Sequence, residues 1–157
     1  MRELDRIDRK IIAVLQADAT LSIQQISERV GVSHTPCWRR IQRLEERGVI
    51  KGRVALVEPK ALGLGLSVFV SISTDDHTPA GRERFVAAVA EMPEAMEIYR
   101  MAGDVDYMLR VVVPDIAAYD AFYKRLTARV EIRSITARFA MEAVKSTTAY
   151  PVDTVAG

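Results

Sequence analysis

The chain has 157 residues and a formal net charge of +1, which fits one or two small domains with enough apolar content to build real cores. Its single cysteine excludes an internal disulfide framework and fits a reducing cytoplasm. The charged start MRELDRIDRK has no apolar signal core, and the longest apolar run, residues 61–70, is broken by Gly63, Gly65 and Ser67, short of the ~20 residues a spanning helix needs. No membrane partner is therefore expected. Charge is unevenly spread, with 12 Lys and Arg against 8 Asp and Glu in residues 1–60, and 10 against 13 in the remainder. A basic first part joined to an acidic second part points to a polyanion-binding module attached to something else.

The first elements are helices. Leu4, Ile7, Ile11 and Val14/Leu15 recur at helical spacing. Asp5 suits an N-cap, and Asp8 favours the positive helix end, which predicts a helix over Asp5–Ala17. Ser22 and Gln25 make a capping-box pair, Leu21 and Ile26 a hydrophobic staple, and Ile23, Ile26 and Val30 an apolar face; a short helix over Ser22–Val30 follows. Gly31-Val32-Ser33 is a tight turn. Beyond it Ser33 or Thr35 caps a third helix, Pro36 fits the first turn because its missing N–H would be orphaned there anyway, and Gly48 ends the helix.

In that third helix Cys37, Ile41 and Leu44 line a stripe that must pack, while Arg39, Arg40, Arg43 and Arg47 lie mostly off it. Taken alone the pattern is a solvated charged face. Preceded by two helices and a glycine turn it is a helix-turn-helix, in which the last helix enters the major groove. The candidate DNA-binding residues are Ser33, His34, Thr35, Trp38, Arg39, Arg40 and Arg43. Arginine reads guanine O6 and N7 or holds phosphate. His34 meets phosphate or base, and Trp38 either touches a sugar or thymine methyl or packs at the module's edge. A helix N-terminus lowers a thiol pKa, yet the place of Cys37 on the stripe favours burial as a small core residue. Neither histidine has a ligand set nearby, so no metal site is expected.

Val49–Val57 is rich in β-branched residues and predicts a strand leaving a winged-helix-like module. Pro59, Gly63 and Gly65 mark the exit, which divides the chain into a DNA-binding domain at 1–52, a linker strand and hinge at 53–63, and a second domain at 64–157. The second domain predicts strands at Leu66–Ser73, Ala95–Met101, Tyr107–Val113 and Ile132–Val144. Its helices run from Thr78 or Pro79 to Glu91, with Phe85, Val86, Val89 and Met92 inward, and from Pro114-Asp115 to Arg129, with Ile116, Tyr119, Phe122, Tyr123 and Leu126 inward. The order β-α-β-β-α-β is the split ferredoxin-like arrangement, so the chain is α+β overall. Apolar residues fall at both parities, Val68, Val70 and Ile72 against Leu66 and Phe69, and Leu109, Val111 and Val113 against Met108 and Val112. A sheet with one wet face alternates more cleanly, which predicts a second copy of the chain covering the face without helices.

Over nearly its whole length the chain resembles the Lrp/AsnC family of transcription regulators. The stretches that carry the likeness are LDRIDRKIIAVLQADA, SIQQISERVGVSHTPCWRRIQRLEERGVIKG, MAGDVDYMLRVVVPD and RFAMEAVKSTTAYP. The segments CWRRI, EMPE, YRMAGDVDY and FYKRL are most similar to the cysteine-responsive branch. The resemblance implies that the N-terminal module binds double-stranded DNA and that the ferredoxin-like half dimerises and senses a small amino acid, cysteine first. The homodimer is open to further assembly into a tetramer or octamer. Asp104 and Asp106, read alone, form a polar hairpin turn or a divalent-ion site. The resemblance makes them the border of an effector site with Met101, Ala102, Gly103, Tyr107, Ser134 and Thr136, where a carboxylate suits an α-amino group and turn N–H groups suit an α-carboxylate. One departure is Arg129-Val130-Glu131-Ile132, where family members carry a Pro-Gly turn.

The expected function is sequence-specific transcriptional regulation tuned by an amino acid, with no cofactor beyond that effector. The alternatives are a stand-alone amino-acid-binding ferredoxin-like protein or a small metabolic enzyme. Catalysis needs a nucleophile or acid/base pair converging in a cleft, and this sequence supplies one cysteine and two scattered histidines, so no enzymatic role is expected.

Overall fold

The computed structural model describes residues 3–152. The chain divides into two compact units, one made of residues up to Leu56 together with the stretch from Val144, the other of Val57–Ala143.

The first unit holds three helices, α1 (Arg6–Ala17), α2 (Ile23–Val30) and α3 (His34–Glu46). Asp5 caps α1 by accepting hydrogen bonds from the backbone of Ile7 and Asp8, and Ser22 and Gln25 close a complete capping box on α2. Gly31 stops α2 with φ at 80°, a left-handed conformation that glycine adopts without strain. Ile11, Ile26, Val30, Cys37, Ile41 and Leu44 form the buried core of this unit, one apolar stripe from each helix meeting in the middle. The stretch from Val144 joins the same unit, whereas the sequence assigned it to the second domain. Its backbone at Tyr150 exchanges two hydrogen bonds with the Gln16 amide, at 2.7 and 3.0 Å, and Arg9 donates to the Val152 carbonyl at 3.0 Å.

The strand expected over Val49–Val57 does not form. Residues 51–58 have no regular structure, and Val54 and Leu56 are 81% and 73% exposed. β-Branched composition alone makes no strand, because a strand needs a neighbour to accept its ladder. A short 3-10 turn at Pro59–Leu62 follows, capped by Glu58.

In the second unit β1 (Leu66–Ser73), β2 (Ala95–Arg100), β3 (Tyr107–Val113) and β4 (Ser134–Phe139) form an antiparallel sheet in the order β2-β3-β1-β4. With α4 (Pro79–Ala90) and α5 (Ile116–Arg129) this is the ferredoxin-like βαββαβ fold. Thr78 and Asp115 are the side-chain N-caps of the two helices. Val68, Val70 and Ile72 from β1, Leu109, Val111 and Val113 from β3, Phe85 and Val89 from α4, and Phe122 and Leu126 from α5 make the core.

Four expectations change. β4 ends at Phe139 instead of Val144, because its partner supplies the ladder only from Ser73↔Ser134 to Val68↔Phe139. Leu66 shares the helix-facing parity of Val68 and packs on that core, so only Phe69 represents the other face among the apolar residues of β1. Ile116 and Val86 are exposed at 68% and 43%; Val86 sits one residue past the buried Phe85, and Ile116 is the first residue of α5, a turn before the buried Tyr119. Tyr123 is likewise exposed, beside the buried Phe122. The face without helices is mixed rather than apolar. Phe69 and Tyr99 stand exposed there, Arg138 donates to the Ser71 hydroxyl at 2.9 Å, and Arg110 and Tyr99 both donate to the Glu97 carboxylate at 2.7 Å.

Candidate functional site

The surface of α3 is built from its buried stripe outward. Cys37, Ile41 and Leu44 are at most 1% exposed, which fixes the rotation of the helix. Burial pushes the Cys37 thiol up, away from the thiolate a reactive cysteine needs. Ser33 occupies the N-cap, with its carbonyl accepting the first helical bond from Cys37 at 3.1 Å, but its hydroxyl makes no capping bond. Ser33, His34, Thr35 and Arg39 are exposed, and Trp38 is 46% exposed. Five of the seven candidate DNA-binding residues thus lie together on open helix surface.

The other two are tied to α1. Arg40 donates from Nη1 to Asp5 at 2.6 Å and to Asp8 at 2.7 Å, and Arg43 reaches Asp8 with Nη2 at 3.4 Å. The Asp8 side chain is only 3% exposed. The bond from Arg40 holds the Asp5 carboxyl below the usual aspartate value, and the two carboxylates raise the guanidinium of Arg40. Arg43 is less well satisfied, since its Nε is buried with no hydrogen-bond partner. Sequence reasoning gave Asp8 only a helix-dipole role. The clue was the matched spacing, Asp5 and Asp8 three apart on one helix and Arg40 and Arg43 three apart on another, which puts each pair on a single helix face.

The second constellation is the turn between β2 and β3. The Met101 N–H donates to the Asp106 carbonyl at 2.8 Å and the Asp106 N–H to the Ile72 carbonyl at 2.9 Å. Gly103 has φ at 134°, a region that favours glycine. The Asp106 carboxylate accepts from the Thr74 N–H at 2.7 Å and hydroxyl at 3.3 Å, with His77 Nδ1 at 3.5 Å. It therefore fastens the turn to the residue after β1. Tyr107 is buried and stacked on Phe85 with ring centroids 4.0 Å apart, and burial raises its phenol. Met101, Ala102, Gly103 and Asp104 remain exposed. Ser134 and Thr136 lie on β4 opposite Ser73 and Ser71, and Ser73 donates to the Asp104 carbonyl at 3.4 Å, so β1 links the turn to this part of β4.

A cavity of about 280 Å³ lies elsewhere in this unit, lined by Thr74, Asp76, Gly81, Arg84, Phe85, Arg129, Val130 and Glu131. None of the eight candidate effector residues lines it. The Arg129–Glu131 segment that departs from the family's Pro-Gly turn does. Its charges are largely spent on each other and on their neighbours, Arg84 on Asp76 at 2.7 Å and Arg129 on Glu91 at 3.3 Å. Among the described residues no His, Cys, Asp and Glu group could hold a metal ion, and no helix is long and apolar enough to cross a membrane.

A helix-turn-helix with an open basic third helix, joined to a ferredoxin-like unit, defines a two-domain DNA-binding regulator. Residues 4–51 match a winged helix-turn-helix DNA-binding domain, and residues 67–150 match the Lrp/AsnC ligand binding domain. The chain is 49% identical over 151 residues to the DNA-binding transcriptional activator DecR of Escherichia coli strain K12, covering 96% of this chain and 99% of that protein. The crystal structure of an AsnC family transcriptional regulator from Agrobacterium tumefaciens superposes with a TM-score of 0.91 at 56% identity, covering 95% of this chain and 97% of that one. A Neisseria meningitidis transcriptional regulator in complex with L-Met gives 0.90 at 32% identity, covering 96% and 98%. The protein belongs to the Lrp/AsnC family of DNA-binding transcriptional regulators.

Proposed function

We propose that the protein works in the cytoplasm as a non-catalytic, sequence-specific regulator whose grip on its operator is set by a small amino acid. The observation that carries this reading is α3, which buries Cys37, Ile41 and Leu44 and leaves His34, Thr35, Trp38 and Arg39 open to a DNA groove. Two such helices are needed, since a twofold dimer reads half-sites ~34–36 Å apart. The partner surface is the helix-free face of the sheet, where Phe69 and Tyr99 stand exposed and Met108 lies opposite Tyr99, for a second copy of the same chain. Dimers are free to assemble further.

The effector site is the Met101–Asp104 turn with Asp106, Ser134 and Thr136 around it, while Tyr107 lies beneath the turn in the core against Phe85. The Asp104 carboxylate is exposed and suits an α-amino group, and the turn N–H groups suit an α-carboxylate. The L-Met complex of the Neisseria relative supports an amino acid as the class of ligand. Cysteine is the first choice within that class, on the likeness of the CWRRI, EMPE, YRMAGDVDY and FYKRL segments. An effector alters operator affinity only by binding one assembly better than another, a coupling of typically ~1–3 kcal/mol. Fluorescence anisotropy with DNA from upstream of the chain's own and neighbouring genes, across a panel of amino acids, tests the reading. Salt-sensitive, sequence-selective binding that one amino acid shifts about 5- to 150-fold supports it, and binding with no sequence preference overturns it.

A further inference from the structure

We infer that Asp8 is a positioning residue of the DNA-reading surface, which withdraws Arg40 from DNA and holds Arg43 at the edge of the groove-facing side; this rests on the DNA-binding role of α3 proposed above. Asp8 stands on α1 and touches no DNA-facing surface itself, with its side chain 3% exposed. Its Oδ1 accepts from Arg40 at 2.7 Å and from Arg43 at 3.4 Å. The two bonds differ in kind. Arg40 is gripped twice, by Asp8 and by Asp5 at 2.6 Å, and its side chain is 28% exposed. Arg43 is held once and at long range, is 40% exposed, and keeps its Nε buried without an acceptor.

A buried donor with no acceptor loses its hydration and gains nothing in return. Such a group marks a resting place that a better acceptor can empty. A phosphate oxygen or a guanine edge is that acceptor, because it takes two guanidinium N–H groups at once. Arg43 then steps off Asp8 onto the nucleic acid. Arg40 stays behind and keeps the buried carboxylate neutralised. One carboxylate thus sorts two arginines of the same helix into a structural one and a reading one. It also removes positive charge from the face, which weakens attachment to random DNA, where affinity follows the number of phosphates neutralised.

The test is the salt dependence of binding by the full chain, measured with a selected operator and with random-sequence duplex, with folding followed by circular dichroism. Each guanidinium on a phosphate contributes about one unit to the slope of log affinity on log salt. Asp8→Asn should steepen the random-DNA slope by up to about one unit as Arg40 is released, and should lower the ratio of specific to random affinity about ten-fold, near the worth of one base pair. A merely structural role lowers both affinities together, with ratio and slope unmoved, and that result overturns the inference. Two further variants decide the matter if Asp8→Asn does not fold. Arg43→Gln should flatten the operator slope by about one unit or lower the ratio of specific to random affinity about ten-fold, and Arg40→Gln should leave both as in the wild type; a change in either by Arg40→Gln, or in neither by Arg43→Gln, overturns it. Failure of the wild type to prefer any sequence removes the DNA-reading role itself, and the inference with it, whereas a selective wild type with an unchanged Asp8→Asn removes only the inference.

Discussion

Replacing Arg40 by alanine should unsettle the helical module more than any other arginine change on α3. The substitution removes two charge-assisted hydrogen bonds, at 2.6 and 2.7 Å, and leaves Asp8 with only Arg43 at 3.4 Å. Stranding a fully buried charge costs about 3–5 kcal/mol. Arg40 is partly exposed, Asp5 is half exposed and Arg43 stays close, so screening and a second cation reduce the expected loss to about 2 kcal/mol. Helix propensity offsets little, as arginine is nearly as good a helix former as alanine. In a small domain that loss lowers the melting temperature by roughly 10 °C. Urea and thermal unfolding followed by circular dichroism measure it. The double variant Asp8→Ala/Arg40→Ala should lose less than the two single losses combined, because the second change removes the charge the first one stranded. The Asp5 share of the bond is sensitive to acid. Its folded carboxyl lies below the ordinary value, so its contribution is complete above the ordinary aspartate range and is lost as pH falls through the lower folded value. The penalty of Arg40→Ala should therefore shrink in strong acid. An Arg40→Ala protein that unfolds like the wild type would refute this account.

Three other outcomes follow from the geometry. Arg39→Ala should leave unfolding unchanged, because Arg39 is exposed and has no ion pair among the described residues, while operator binding weakens and the salt slope falls by about one unit if it holds a phosphate; equal affinity would remove it from the interface. Asp104→Ala should abolish the amino-acid response in anisotropy titrations with effector-free affinity nearly intact, and a wild-type response would exclude that carboxylate as the ammonium partner. Phe69→Asp should sediment as a folded monomer where the wild type sediments as the proposed dimer, since it places a charge on the helix-free sheet face, and an unaltered sedimentation coefficient would exclude that face as the partner surface.

Helix positions were legible because their caps are local. Asp5, Ser22 with Gln25, Thr78 and Asp115 each bond to backbone within three residues, and a cap of that kind is written in consecutive letters. Strand extents were less legible, because β4 keeps its ladder to β1 only as far as Val68↔Phe139 and the segment at residues 51–58 has no regular structure at all. The candidate DNA surface divided in the same way. The stripe of Cys37, Ile41 and Leu44 follows from periodicity, whereas the capture of Arg40 by Asp5 and Asp8 joins residues 35 and 32 positions apart. In the turn, two aspartates of equal appearance have unequal duties. Asp106 fastens the backbone at Thr74 and Asp104 faces outward, a difference that depends on where the strand end lies and not on the motif GDVDY.

The pairing of Gln16 with Tyr150 and of Arg9 with Val152 has a consequence for the order of synthesis. The three-helix module is interrupted in the chain by the whole of Val57–Ala143, so its last strap leaves the ribosome after the sheet unit is already available to fold. Until then the outer side of α1 lacks three of its hydrogen bonds. A nascent regulator therefore holds all the residues of the sheet unit before it holds all those of the helical module.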